Sequence, residues 1–151
     1  MNVLLLMPNR SIETFLISKK HTPFIIYSMA TFYDMKDALD RNSPDIVYFD
    51  GGADVTPSYY GEENMCSHND KHRDAFESEI FKYYLDKRTR FVGICRGSQF
   101  LNVMFGGSLH QDIPKIHPYY HEVINLGLNL VEKSFKVNST QHQGVKVLAS
   151  N

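Results

Sequence analysis

Between Phe91 and Phe105 the spacing of apolar residues changes period, and that change limits the folds open to the chain. Phe91-Val92-Gly93-Ile94 is a short apolar run with β-branched members, whereas Gln99 to Phe105 carries Phe100, Leu101, Met104 and Phe105 at helical spacing. A buried strand therefore gives way to a helix within Cys95-Arg96-Gly97. A side chain at such a bend projects from the end of the sheet, and the first N–H groups of the helix, which lack intrahelical partners, point back toward it. Those donors and the helix dipole favour negative charge, which suits a thiolate. Gly93 and Gly97 flank the bend and permit close backbone approach. A lone cysteine is more often a buried structural thiol. The G-x-C-x-G spacing at a strand-to-helix bend instead marks Cys95 as a candidate nucleophile.

The rest of the chain supplies the sheet around this bend. Val3 to Met7, bounded by Pro8-Asn9, is a continuous apolar run of the kind buried on both faces of a parallel sheet. Ser11 to Lys20 suits a short helix with Ile12, Phe15 and Leu16 inward; Pro23 then breaks it, and Phe24 to Tyr27 starts a second strand. Met35 to Arg41 is a further helix candidate, and Asp45 to Phe49 a third strand that ends at Asp50-Gly51-Gly52. Strands alternating with helices imply an α/β fold with a mainly parallel sheet. Ligands of such sheets bind beyond the carboxyl ends of the strands, where both Gly51-Gly52 and Cys95 fall. Ala53 to His72 is rich in turn formers and reads as a long surface loop. Asp74 to Lys87 reads as an amphipathic helix with Phe76, Ile80, Tyr83 and Tyr84 on one stripe. Past Gly106-Gly107, the stretches 122–130 and 136–139 suggest an antiparallel hairpin, and Val145 to Leu148 begins another strand.

Charge and cysteine content narrow the function. The 151 residues suit one domain, and 16 basic against 17 acidic side chains leave a net charge of −1. That balance lacks the footprint of a nucleic-acid or anionic-membrane partner and fits a small substrate. Val3 to Met7 is too short to span a bilayer and lacks the basic start of a signal peptide, so a cytoplasmic protein is expected. In a reducing compartment Cys66 and Cys95 stay unpaired. Cys66, His68 and His72 have zinc-binding donor types, but C-x-H-x3-H lacks a convincing fourth ligand, and neither metal nor organic cofactor is expected. Without a basic stripe, the pairs Tyr59-Tyr60, Tyr83-Tyr84 and Tyr119-Tyr120 read as packing and not as stacking platforms.

Gly93-Ile94-Cys95-Arg96-Gly97-Ser98-Gln99, Leu101-Asn102-Val103, Gly106-Gly107-Ser108-Leu109 and Gln111-Asp112 together resemble the class I glutamine amidotransferase superfamily, most closely its γ-glutamyl hydrolase-like (peptidase C26) branch. Asp50 to Pro57 leading to Tyr60-Gly61-Glu62, Val137 to Gln143, and Arg73-Asp74 with Glu77 agree with that branch. The resemblance implies a single domain over 1–151 with a flavodoxin-like three-layer α/β/α fold. It implies Cys95 as the nucleophile of a Cys–His–Glu triad. Oxyanion donors would come from the backbone of Arg96 and of the Gly51-Gly52 turn, with Gln99, Ser139 and His142 near a bound glutamyl group and His110 packed beneath the site. The triad histidine and glutamate belong to a later His-Pro-Glu segment, which this sequence does not contain; His117-Pro118 is followed by Tyr119, and Gln141 stands where the branch usually has histidine. The domain is therefore expected to be truncated at its C-terminus. The implied activity is a thiol hydrolase cleaving a γ-glutamyl amide, such as glutamine or a γ-glutamyl conjugate, through a cysteine acyl-enzyme. The alternatives are a glutaminase subunit delivering ammonia to a synthetase partner and a catalytically silent interaction domain of the same fold.

Overall fold

The computed structural model describes residues 1–6, 10–26, 32–113, 120–124 and 134–150. Four parallel strands, β1 (Asn2–Leu6), β2 (Thr22–Ile26), β3 (Ile46–Phe49) and β4 (Arg90–Gly93), form a sheet in the order β2-β1-β3-β4. Helices α1 (Arg10–Ser18), α2 (Phe32–Arg41), α3 (Lys71–Leu85) and α4 (Arg96–Met104) alternate with the strands or follow them. The two-residue period of a strand sorts β1 into both faces of the sheet. Leu4 and Leu6 join Val47, Phe49, Ile80, Phe81 and Phe100 in one core, while Val3 and Leu5 join Tyr48 in a second, against which Ile12 and Leu16 of α1 pack. Helices on both sides of a parallel sheet in this order make the flavodoxin-like three-layer α/β/α arrangement.

Beyond α4 the chain turns antiparallel. Strand β5 (Ser108–His110) pairs with β8 (Gly144–Val147), and β6 (Tyr120–Ile124) pairs with β7 (Ser134–Asn138) as the expected hairpin. The sequence pattern hid β5, a three-residue strand set off by Gly106 at φ 94°. His110, expected beneath the site, is instead exposed on β5. Met7 to Asn9, Tyr27, 125–130 and His117-Pro118-Tyr119 lie outside the described residues.

Four local expectations are corrected. Pro23 does not interrupt the chain before β2 but sits inside it, which β2 tolerates as an edge strand of the described sheet. Phe15 is 53% exposed, leaving α1 to pack through Ile12 and Leu16. Helix α3 starts at Lys71, because the Asp70 carboxylate accepts the N–H groups of His72 and Arg73, both at 3.1 Å, and caps the first turn. Strand β4, expected to be buried, is instead the other edge of the described sheet, which leaves Val92 and Ile94 beside the bend exposed.

Candidate functional site

The bend after β4 is tight because three backbones meet there. Cys95 takes φ 54°, ψ −118°, a positive-φ conformation that a side chain adopts only when its surroundings hold it. Ile94 N–H donates to Phe49 O at 3.1 Å, continuing the β3–β4 ladder to the brink of the bend. A Cβ on Gly97 would stand 2.1 Å from Phe49 O, and one on Gly93 would stand 2.4 Å from the Gly97 carbonyl, so both glycines are needed for the helix to leave the sheet here. The Cys95 side chain is exposed. A Cβ built on Gly51 would come 3.9 Å from its Sγ, which puts the Asp50-Gly51-Gly52 turn of β3 against the thiol.

A buried quartet of charges holds that turn and the start of α4. Arg73 donates from Nε to Glu77 Oε1 at 2.8 Å, from Nη1 to Gly51 O at 2.9 Å and from Nη2 to Asp50 O at 2.9 Å. Arg96, the residue after Cys95, pairs through Nη1 with Glu77 Oε2 and through Nη2 with Asp74 Oδ1. The second oxygen of Asp74 accepts from Thr56 N–H at 2.8 Å and Thr56 Oγ1 at 2.5 Å. All four charged side chains are buried, and with two cations and two anions the set is neutral. The sequence picked out Arg73, Asp74 and Glu77 as fitting a family pattern but gave them no role, and foresaw only the backbone of Arg96. Their signal was readable: at helical spacing these charges share the face of α3 that carries Phe76, Ile80 and Tyr84.

Of the amides near the thiol, Gly51 N–H is committed to Asp50 Oδ1 at 2.7 Å. The N–H groups of Gly52 and Arg96 have no partner among the described residues. Gly52 sits at φ 151° with the Arg73 guanidinium where a Cβ would go, 2.3 Å from Nη1.

Cys95 opens on a cleft of about 380 Å³ lined by loop residues, including Gly52, Asp54, His68 and His142, and by Gln99 of α4. Asp54 and His142 meet on its wall, Oδ2 to Nδ1 at 2.8 Å. The adjoining residues explain why: fully buried Gln143 accepts Val55 N–H at 2.8 Å and donates to Val55 O at 2.9 Å, clamping the 53–70 loop to the 140–143 segment. Gln143 Nε2 also reaches Ser67 Oγ at 2.9 Å and Tyr60 OH at 3.3 Å. Burial, with Glu62 and Asp54 nearby, pushes the Tyr60 phenol up to about 12. Gln99 borders the cleft but donates from Nε2 to Gln143 O at 2.6 Å, so it braces the wall. Ser139 Oγ is buried without a hydrogen-bond partner among the described residues, next to the cleft-lining Thr140. His72 forms no ligand cluster with Cys66 and His68 among the described residues; His68 groups instead with Asp54 and His142.

Residues 9–151 match the family described as Peptidase C26. The chain belongs to the peptidase C26 family. It is 35% identical over 122 residues to the glutamine amidotransferase-like protein YvdE of Lactococcus lactis, an alignment covering 69% of this chain and 52% of YvdE. Over 70 residues it is 37% identical to the γ-glutamyl-γ-aminobutyrate hydrolase PuuD of Escherichia coli, covering 46% of this chain and 28% of PuuD. The chain spans about half the length of the curated relatives it matches. Its fold is similar to that of a glutamine amidotransferase crystal structure from Thermotoga maritima, with TM-score 0.63 at 16% identity over 98% of this chain and 63% of that one. Class I glutamine amidotransferase-like character, expected from the motifs around Cys95, is thus shared by this peptidase C26 chain's relatives and its fold. No helix among its described residues is long and apolar enough to cross a membrane.

Proposed function

We propose that this domain is a cysteine-dependent acyl-transfer unit that attacks a γ-glutamyl amide through Cys95. The observation that carries the reading is the exposed thiol on a positive-φ bend at a cleft, with the unpartnered N–H groups of Gly52 and Arg96 beside it. The sulfur adds to the γ-carbonyl carbon, and the oxygen of the tetrahedral intermediate takes its hydrogen bonds from those two amides. Because Gly51 N–H already serves Asp50, the role expected of the glycine pair falls to Gly52. Collapse expels ammonia or an amine, which leaves with a proton, and water hydrolyses the thioester to free the glutamyl carboxylate and the thiol. The Arg73–Glu77–Arg96–Asp74 quartet acts by positioning: it ties the carbonyls of Asp50 and Gly51 and the first residue of α4 to one rigid base. His142 borders the space for the glutamyl group, Ser139 next to the cleft-lining Thr140 is the further residue assigned to that group, and Gln99 holds the wall in place.

PuuD bears the name of a γ-glutamyl-γ-aminobutyrate hydrolase, which favours a γ-glutamyl conjugate over ammonia delivery to a synthetase partner. Acylation of the Cys95 thiol is the step that these residues supply. The test is peptide mapping after treatment with a diazoketone analogue of glutamine. Modification at Cys95, abolished in Cys95→Ser, is the expected result. A folded protein unmodified at Cys95, or modified only at the exposed Cys66, would leave a catalytically silent domain.

A further inference from the structure

The geometry points to a divalent-cation site of the zinc class, formed by Asp54, His68 and His142 on the wall of the cleft. One ligand atom from each of these residues lies within 4.8 Å of the others. Tetrahedral zinc with bonds near 2.0–2.1 Å sets its ligand atoms about 3.3 Å apart, so closing this triad on an ion takes shifts of about an ångström or two in side chains alone. Two imidazoles, one carboxylate and an open fourth position for water form a donor set that zinc accepts.

The backbone already brings the three together. Asp54 precedes Val55 and His142 precedes Gln143, and the Val55–Gln143 pair is the buried two-bond clamp between their loops. His68 is tied to Asp54 reciprocally: Asp54 N–H donates to His68 O at 2.9 Å, and His68 N–H donates to Asp54 Oδ2 at 2.9 Å. Ile113 N–H holds the His142 carbonyl at 3.0 Å from the other side. The His68 imidazole is exposed, makes no hydrogen bond among the described residues and lies 6.1 Å, centre to centre, from the His142 ring. A second grouping, Cys66 with Asp112, shares His142 but does not line the cleft and lacks the clamp, so the Asp54 triad is the site. It is not the C-x-H-x3-H arrangement of the sequence, since His72 takes no part.

The test is zinc(II) titration by calorimetry of the whole chain in a Cys66→Ser/Cys95→Ser background, where neither thiol can take the metal. One saturable equivalent is expected, weakened by more than about tenfold in His68→Ala and unchanged in His72→Ala. Since His68 is exposed, its replacement leaves the fold intact, which circular dichroism verifies. Failure to saturate, affinity that survives His68→Ala, or equal loss in His72→Ala would overturn the site. None of these readouts depends on Cys95 chemistry, so this site and the acyl-transfer reading fail or stand separately.

Discussion

Glu77→Gln is the substitution that most directly probes how the bend is held. Glu77 is fully buried and uses both oxygens, one for Arg73 Nε at 2.8 Å and the other for Arg96 Nη1. Glutamine keeps the shape but removes one of two negative charges and turns an NH2 group toward a guanidinium. Arg96 would then keep Asp74 as a carboxylate partner, while Arg73 would keep only the carbonyls of Asp50 and Gly51. Breaking a buried ion pair from one side costs roughly 3–5 kcal/mol. At about 2–4 °C per kcal/mol for a chain of this size, the melting temperature falls by roughly 6 °C or more. Urea unfolding followed by circular dichroism measures the loss as a shift in midpoint at constant slope. Glu79→Gln is the matched control on the same helix: its 2.9 Å pair with Lys82 is solvent-exposed, and such pairs contribute little. A Glu77→Gln loss below about 1 kcal/mol, or one no larger than that of Glu79→Gln, would refute the view that this quartet anchors the site.

Three further outcomes follow. In Gly97→Ala, the gain of about 1 kcal/mol that alanine brings to a helix is reversed by the added Cβ meeting Phe49 O at 2.1 Å, so the variant is less stable than the parent; a more stable variant would show that α4 does not press on β3. Gln143→Leu leaves the buried N–H and C=O of Val55 without their partners, at about 1–3 kcal/mol each, and should raise amide exchange across 53–70 before other regions; unchanged exchange there would disprove the clamp. Burial pushes the phenols of Tyr48, Tyr60 and Tyr84 up to about 12 from an unfolded value of 10, aided by Asp50, Glu62 and Asp40 respectively. The stability this represents is complete below pH 10 and is lost as pH rises from 10 through 12, so ultraviolet titration should find these tyrosines ionising later than the exposed ones, together with alkaline unfolding. Uniform ionisation near pH 10 in folded protein would contradict it.

How far the sequence could be read depended on how local each signal was. The bend at Cys95 was legible because a strand period and a helix period abut over three residues, and the two flanking glycines are those whose Cβ atoms would strike backbone. The parallel strands were legible as short apolar runs, with boundaries moved by one or two residues. The start of α3 was misplaced because Asp70, its cap, sits in a polar stretch that reads as loop. The inward role of Arg96 was not legible, since nothing local distinguishes a buried arginine from a surface one; its partners lie 19 and 22 residues earlier. Asp54 and His142 are 88 residues apart, and only the fold reveals that they meet. For the same reason spacing along the chain could not show the grouping around His68: C-x-H-x3-H lacks a fourth ligand and gave no expectation of a metal, while the clamp at Gln143 brings Asp54 and His142 to His68.

The most direct measurement is capture of the acyl-enzyme itself. The protein is mixed with a γ-glutamyl p-nitroanilide, quenched in acid and digested, and its peptides are weighed. A single γ-glutamyl thioester on the peptide carrying Cys95, missing in Cys95→Ser and diminished in Gly52→Ala, is the result expected of a thiol set between two free amides. A folded protein that carries no such thioester, or carries it on Cys66, would contradict the account.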